Sequence, residues 1–331
     1  MLGAVEKILF VCDANDRSGF GHAARCLKVA RSVLARKPES EAIFQGEFSE
    51  GARKALIAML PDIAFISADD NFFADVALID RMSDFDDIEA CDSVLVARIA
   101  RRCGKTVYLT SGVSVPLLPD GVVCLGYQPG GPTARPPNLY WGIEYAPVSS
   151  DLLRHTIAPR CRDSALIAFG GAPDDRALFQ GVRAFALIPE IIRINVLLSP
   201  VNDRPIGNLP FRPDQEVSYC RGLPSIGPLL AQSGVVLASF GNLGYEALAI
   251  GAPLCFLGTK KFQSDLACAF AKMNIATTAG LLCDSSFSAI AEACREALER
   301  ADELSRNAQA LIDGNGIDRI ADFLLSSARN E

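Results

Sequence analysis

The chain alternates between short runs of consecutive apolar residues and longer stretches in which apolar positions recur at helical spacing. "KILFVC" at 7–12 leads into "FGHAARCLKVARSVLARK", where Leu27, Ala30 and Leu34 share one face while Lys28, Arg31 and Arg36 lie elsewhere. The strand-like series continues with "EAIFQ", "IAFIS", "VALID", "TVYLT" and "GVVCLG", and helices are predicted over 50–59 and 85–103. The densest Pro/Gly cluster, "GYQPGGPTARPPN" at 126–138, cannot belong to a helix or central strand and predicts a loop close to a domain junction. Beyond it the pattern restarts: "ALIAFGG", a helix, "IRINVLLSP", a Pro-rich loop at 200–213, "EVSYC", a helix, "GVVLASFG", a helix, "APLCFLG", then helices to the end. Near-continuous Val/Ile/Leu runs separated by helices predict parallel strands buried on both faces. The expected fold class is α/β, with two doubly wound Rossmann-like domains and a ligand cleft between them.

Composition narrows the function classes. A chain of 331 residues exceeds most single cores, which is consistent with two domains. Half of it is hydrophobic and 21% is charged, so it folds. The net charge of −7 provides no basic surface for nucleic acid or an anionic membrane. Mean hydropathy is +0.22, yet no segment reaches the roughly 18 uninterrupted apolar residues of a spanning helix. Glu6 and Lys7 interrupt "MLGAVEKILFVCD", which reads as a first strand rather than an export signal. Eleven cysteines, none in a CxxC pair, read as reduced packing residues. The expected location is cytoplasmic.

Three glycine turns follow strands: "SGFGHAA" at 18–24, "FGGAPDD" at 169–175 and "SFGNLGYE" at 239–246. In a doubly wound sheet ligands bind beyond the carboxyl ends of the strands. Glycine lets the backbone approach a ligand, and amides at the next helix start favour an anion such as phosphate. Three such turns in two successive α/β halves point to a phosphate-bearing ligand. The first also matches G-x-G-x-x-A, but "DANDRS" separates it from its strand, and only Glu41 and Glu47 are near the acidic position expected about 20 residues on, which argues against a dinucleotide. His22, one of two histidines, stands at that first helix start. There the helix dipole disfavours an imidazolium, leaving a free base suited to taking a proton from water. His155 reads as an exposed linker residue, "RR" at 101–102 as a charged helix end, and "ADDN", "FDD" and "PDD" as caps and solvated turns rather than metal sites. "TKKF" at 259–262 reads equally as a solvated or a phosphate-facing loop.

"CDANDRSGFGHAARCLKVARSVL" resembles the N-terminal signature of the UDP-sugar hydrolases of pseudaminic acid biosynthesis: Asp-Ala, then Gly-x-Gly-His-x-x-Arg-Cys-Leu, then an amphipathic helix. The resemblance continues at "YWGIEYAPV", "LIAFGGAPDD", "FGNLGYEALAIGAPLCFLGTKKFQSDLA" and "LIDGNGIDRI". It implies the GT-B fold of nucleotide-sugar glycosyltransferases, with a catalytic, sugar-side domain over 1–150, a nucleotide-side domain over 151–315 and a closing helix over 316–331 that crosses back to the first. It also implies displacement of UDP from a UDP-linked amino sugar by water, with inversion and with no metal or other cofactor required. His22 would be the catalytic or water-orienting residue, with Asp13 and Arg25 close to it. Gly19, Gly21 and Tyr145 join the substrate-binding set. Gly170, Gly171 and the turn of Phe240, Gly241, Asn242, Leu243 and Gly244 would face the diphosphate, Glu246 the ribose hydroxyls, and Gln263 the sugar or phosphate.

The chain departs from that pattern at 81–84, within "IDRMSD", at 110–115, within "TSGVSVP", and at 241–244, where Asn242 and Leu243 stand in place of hydroxyl residues. These are cleft positions in the family, so the sugar and the acceptor are both open. The readings carried forward are a nucleotide-sugar hydrolase, a GT-B glycosyltransferase with a non-water acceptor, and a silent nucleotide-sugar binding or scaffold protein. A dehydrogenase stands behind them.

Overall fold

Nearly every apolar run forms a strand of a wholly parallel sheet, because five or more consecutive large apolar side chains need cover on both faces. The computed structural model describes residues 6–81, 93–111, 117–129, 131, 137–156, 160–170, 175–199, 207–223 and 225–326. The chain divides into two units, one of Met1–Ser149 with Asn315–Glu331 and one of Ser150–Gly314.

In unit 1 the strands are β1 (Lys7–Val11), β2 (Glu41–Gln45), β3 (Ala64–Ile66), β4 (Ala74–Ile79), β5 (Cys103–Thr110), β6 (Val122–Gly126) and β7 (Leu139–Trp141). They lie in the order β3-β2-β1-β4-β5-β6-β7, every pair parallel. Helices α1 (Gly21–Arg36), α2 (Glu50–Met59) and α3 (Ser93–Ala100) connect them. Leu9, Val11, Ile79, Val96 and Ile99 belong to its core. The buried side of α1 carries Ala23, Cys26, Leu27, Ala30 and Val33, a stripe at 3.6-residue spacing.

Unit 2 holds β8 (Cys161–Ala168), β9 (Arg193–Leu198), β10 (Glu216–Arg221), β11 (Ser233–Ala238), β12 (Leu254–Gly258) and β13 (Thr277–Leu281), in the order β10-β9-β8-β11-β12-β13. All of its pairs are parallel. Its helices are α4 (Asp175–Ala186), α5 (Gly227–Gln232), α6 (Asn242–Ile250), α7 (Lys261–Lys272), α8 (Phe287–Glu299) and α9 (Ala301–Leu311). It has its own core around Ile167, Phe185, Val196, Leu237 and Ile290. The last helix, α10 (Gly316–Leu325), returns to unit 1 and packs on α1. Ser32 donates to Asp318 at 2.7 Å and Arg36 Nε to Asp322 at 2.7 Å, while Ile317 N–H donates to Val148 O at 3.1 Å.

Strand order reverses in both sheets, between β1 and β4 in unit 1 and between β8 and β11 in unit 2. The two helix layers diverge at those points and leave a crevice at the carboxyl ends. Several details differ from the sequence reading. β7 and β13 are additional strands, so the chain does not run in helices to its end. The Pro/Gly loop joins β6 to β7 inside unit 1, where Trp141 fills the space beside Gly126 and Gly131 and donates Nε1–H to Gln128 O at 2.9 Å. His155 is not exposed: its ring packs on Gly227, where a Cβ would lie 2.2 Å from Cδ2. The first part of the helix expected over 85–103 lies outside the described residues, as does 200–206 of the Pro-rich loop. Among the described residues no helix is long and apolar enough to cross a membrane.

Candidate active site

At the switch point of unit 1, the turn after β1 and the residues after β4 meet the start of α1. The turn is built locally: Asn15 Oδ1 accepts from the N–H groups of Arg17 (2.9 Å) and Ser18 (3.0 Å), and Gly19, at φ 68°, donates its N–H to Asn15 O at 2.9 Å. That geometry turns the chain into α1 and sets His22 and Arg25 one turn apart on the same side. Both reach Asp80, the residue after β4. Arg25 Nε donates to Oδ2 and Nη2 to Oδ1, each at 2.7 Å, and His22 Nδ1 lies 2.7 Å from Oδ1.

Arg25 Nη2 also lies 2.7 Å from His22 Nδ1, and the guanidinium can only donate. Nδ1 therefore either accepts from Arg25 or donates to Asp80. The second arrangement places both protons on the charged Oδ1, which is the stronger bond, and it leaves the Nε2 lone pair available. Asp80 is 3% exposed and His22 15%. Burial alone would raise the Asp80 carboxyl, but Arg25 and then His22 outweigh it and hold it at about 2. Burial likewise opposes the Arg25 charge, and Asp80 more than restores it, so the guanidinium is held more firmly protonated than in water. Tyr127, buried, hydrogen-bonded to Ser111 and within the field of Arg25 and Asp80, has its phenol pushed up by burial. Cys26, buried beside Cys12, is likewise raised by burial and remains a packing thiol. The described cysteines are all free, most of them buried or half-buried, although Cys283 is exposed.

Asp13 is engaged elsewhere. Its Oδ1 accepts from Glu47 N–H at 2.8 Å and its Oδ2 from Arg81 Nε, so it ties together the carboxyl ends of β1, β2 and β4. Gly21, first in α1, has open space where a Cβ would stand. Tyr145 lies in the 3-10 turn Ile143–Tyr145 that packs against α10, and burial raises its phenol.

In unit 2 the turns after β8 and β11 come together at its own switch point. Gly170, at φ 78°, lies against Ser239: a Cβ there would be 3.8 Å from Oγ. Gly171 lies outside the described residues. Gly241, in extended backbone, opens into α6, whose first N–H groups have no helical acceptor. Asn242 Oδ1 is buried without a hydrogen-bond partner among the described residues. Leu243 is half-buried beside it, and Glu246 is buried one turn further along. Gly244 serves packing, since a Cβ would meet Phe256 at 2.7 Å. Phe240 belongs to an aromatic cluster with Tyr245, Phe256 and Phe270, with centroids 5.0–5.7 Å from its own. Gln263 caps α7 by accepting from the N–H groups of Thr259 (3.0 Å) and Lys260 (3.2 Å), and it donates to Phe240 O at 3.1 Å. Its amide pins the turn after β11 rather than standing open. Of the departures noted in the sequence, 82–84 and 112–115 lie outside the described residues. Among the described residues, no group of three or more His, Cys, Asp or Glu could hold a metal ion.

Sequence reading gave Asp80 no role and marked position 81 only as a departure from the family pattern. Asp80 ends "VALID" and Arg81 follows it; the rule that residues just past the strands flanking β1 line the switch point reaches both once the pairing of β1 with β4 is known.

No protein-family model matches the chain, and no curated protein matches it in sequence. Solved structures do resemble it along its whole length. The calicheamicin glycosyltransferase CalG4 is 14% identical, with a TM-score of 0.59, over 98% of this chain and 100% of that one. The spinosyn rhamnosyltransferase SpnG, complexed with thymidine diphosphate, is 13% identical with a TM-score of 0.62 over 96% and 100%. The UDP-GlcNAc 2-epimerase from Neisseria meningitidis, bound to UDP-GlcNAc, is 11% identical with a TM-score of 0.57 over 96% and 99%. The chain has the GT-B fold. At this identity the likeness is one of architecture, and the chemistry of this GT-B chain has to be argued from its own side chains.

Proposed function

We propose that the chain transfers a glycosyl group from a nucleoside diphosphate sugar, UDP-linked by preference, with His22 as the base that deprotonates the acceptor. The observation that carries this reading is the His22–Asp80–Arg25 arrangement at the unit 1 switch point. An imidazole oriented through Nδ1 by a buried carboxylate keeps Nε2 free for a proton. In the reaction the acceptor O–H or N–H gives its proton to Nε2 as its heteroatom bonds to the anomeric carbon. The bond from that carbon to the diphosphate oxygen breaks, and the nucleoside diphosphate leaves with the electron pair. Asp80, ionised at any working pH, stabilises the imidazolium until it releases the proton to solvent. In unit 2 the Gly170–Ser239 turn and the first amides of α6 are suited to the diphosphate, and Asn242 Oδ1, without a partner among the described residues, to a ligand hydroxyl or N–H.

Water in place of the acceptor is the second reading. It is favoured by the Gly-His-x-x-Arg-Cys stretch, whose His and Arg are the two groups that meet on Asp80. Incubation with UDP-GlcNAc and related donors, following UDP release with and without candidate acceptors, separates the two: acceptor dependence supports transfer and release without acceptor supports hydrolysis. His22→Ala should slow release by about 10²–10⁴-fold while UDP still binds. Unchanged turnover in that variant would end both readings.

A further inference from the structure

Two arginines serve carboxylates at the unit 1 switch point, and they do so differently. Arg25 is spent, with Nε and Nη2 both on Asp80. Arg81 gives only Nε to Asp13, whose other oxygen accepts the Glu47 N–H. The Nη edge of Arg81 has no acceptor among the described residues, and its side chain is 20% exposed. A guanidinium fixed through Nε by a carboxylate, itself anchored to the backbone, is oriented, and its remaining N–H groups form the flat fork that matches a planar oxyanion. Arg81 and Asp13 follow β4 and β1 at their carboxyl ends, the same edge of the sheet at which Asp80 holds His22. We propose that Arg81 is a specificity residue that takes a carboxylate on the sugar or on the acceptor, so that the chain prefers an acidic glycosyl group or a hydroxy-acid-like acceptor.

The Arg81–Asp13 pair has no net charge, and Asp80 lies next in sequence. That setting suits a single negative charge on one open edge better than a diphosphate carrying two or three. The inference rests on the proposed reading for the identity of the donor but not for the anion itself.

Two binding series test it, and neither depends on turnover. The first compares UDP, UDP-glucose and UDP-glucuronic acid by calorimetry. The second, with UDP present and absent, compares free glucuronate with glucose and lactate with lactamide by ligand-observed NMR. The expected result is a preference for the acid of about tenfold or more in one series, which identifies the donor sugar or the acceptor as its source. Arg81→Lys should weaken that preference and Arg81→Gln abolish it. Should Arg81→Gln fold poorly because Asp13 loses its partner, the Asp13→Asn/Arg81→Gln double variant removes both charges and must also lack the preference. No preference in the wild type in either series, or a preference that survives in the glutamine variants, overturns the proposal. So does an equal loss for UDP, UDP-glucose and UDP-glucuronic acid, which would assign Arg81 to the diphosphate. Absence of UDP binding alongside a preference for the free acids would sink the nucleotide-sugar reading and leave Arg81 standing.

Discussion

Asp80 uses its two oxygens to hold a cation and to aim a base, so its removal should be felt in both stability and rate. Asp80→Asn keeps the shape but leaves Arg25 charged and buried without its counter-ion; we expect a loss of about 3–5 kcal/mol in urea unfolding. Turnover should fall by about 10²–10⁴-fold in steady-state assays, because the amide no longer holds the proton on Nδ1 or stabilises an imidazolium. The same pair sets an acid limit. The Asp80 carboxyl sits at about 2 in the folded chain against an ordinary 3.8, so its contribution is whole above about pH 4 and is lost as pH falls towards 2. Urea unfolding from pH 5 to 2.5 should show the wild type losing on the order of 2 kcal/mol relative to an Arg25→Met/Asp80→Asn variant, which lacks the term. His22 and Arg25 were legible in the sequence, the first from its place at a helix start and the second through the family resemblance, and their three-residue spacing on α1 puts them on a common side. Asp80 was not, because its place depends on which strand lies next to β1, and that is a matter of long-range pairing.

Glycines at element boundaries divide into two kinds, and substitution distinguishes them. Gly21 begins α1 with nothing within 4 Å of a built Cβ. Gly21→Ala should therefore leave the melting temperature unchanged or slightly raised. If a ligand approaches that backbone closely, KM should rise severalfold in the same variant; an unchanged KM would remove Gly21 from the binding set. Gly316 is the opposite case, since a Cβ there would stand 1.8 Å from Ala146 O, which is backbone and cannot swing aside. Gly316→Ala should cost about 1–3 kcal/mol and speed hydrogen exchange across Gly316–Leu325. Most strands could be read in advance, and "EAIFQ" matches β2 residue for residue. The two strands that could not be read have clear reasons. β7 is three residues long, and β13, "TTAGL", is an edge strand paired only with β12, so one buried and one half-buried threonine and a glycine replace the apolar run.

Over the whole molecule, each unit has its own parallel sheet, core and switch point, which is why composition and periodicity conveyed the architecture while individual contacts stayed hidden. Ligand binding should be correspondingly local. UDP at 100 times its dissociation constant should stabilise the protein by about 2.7 kcal/mol and raise its melting temperature, with slowed exchange concentrated at 169–170 and 239–246; NADH should do neither. Exchange slowed instead along β10 and its neighbours would place the nucleotide elsewhere. The route of the chain has a further consequence during synthesis. Asp318 and Asp322, which hold Ser32 and Arg36 of α1, leave the ribosome only after all of Ser150–Gly314. The later-made unit can thus finish folding first, while the earlier one waits with one side of α1 uncovered, so a stall or truncation just short of α10 would release a chain whose first unit is incomplete.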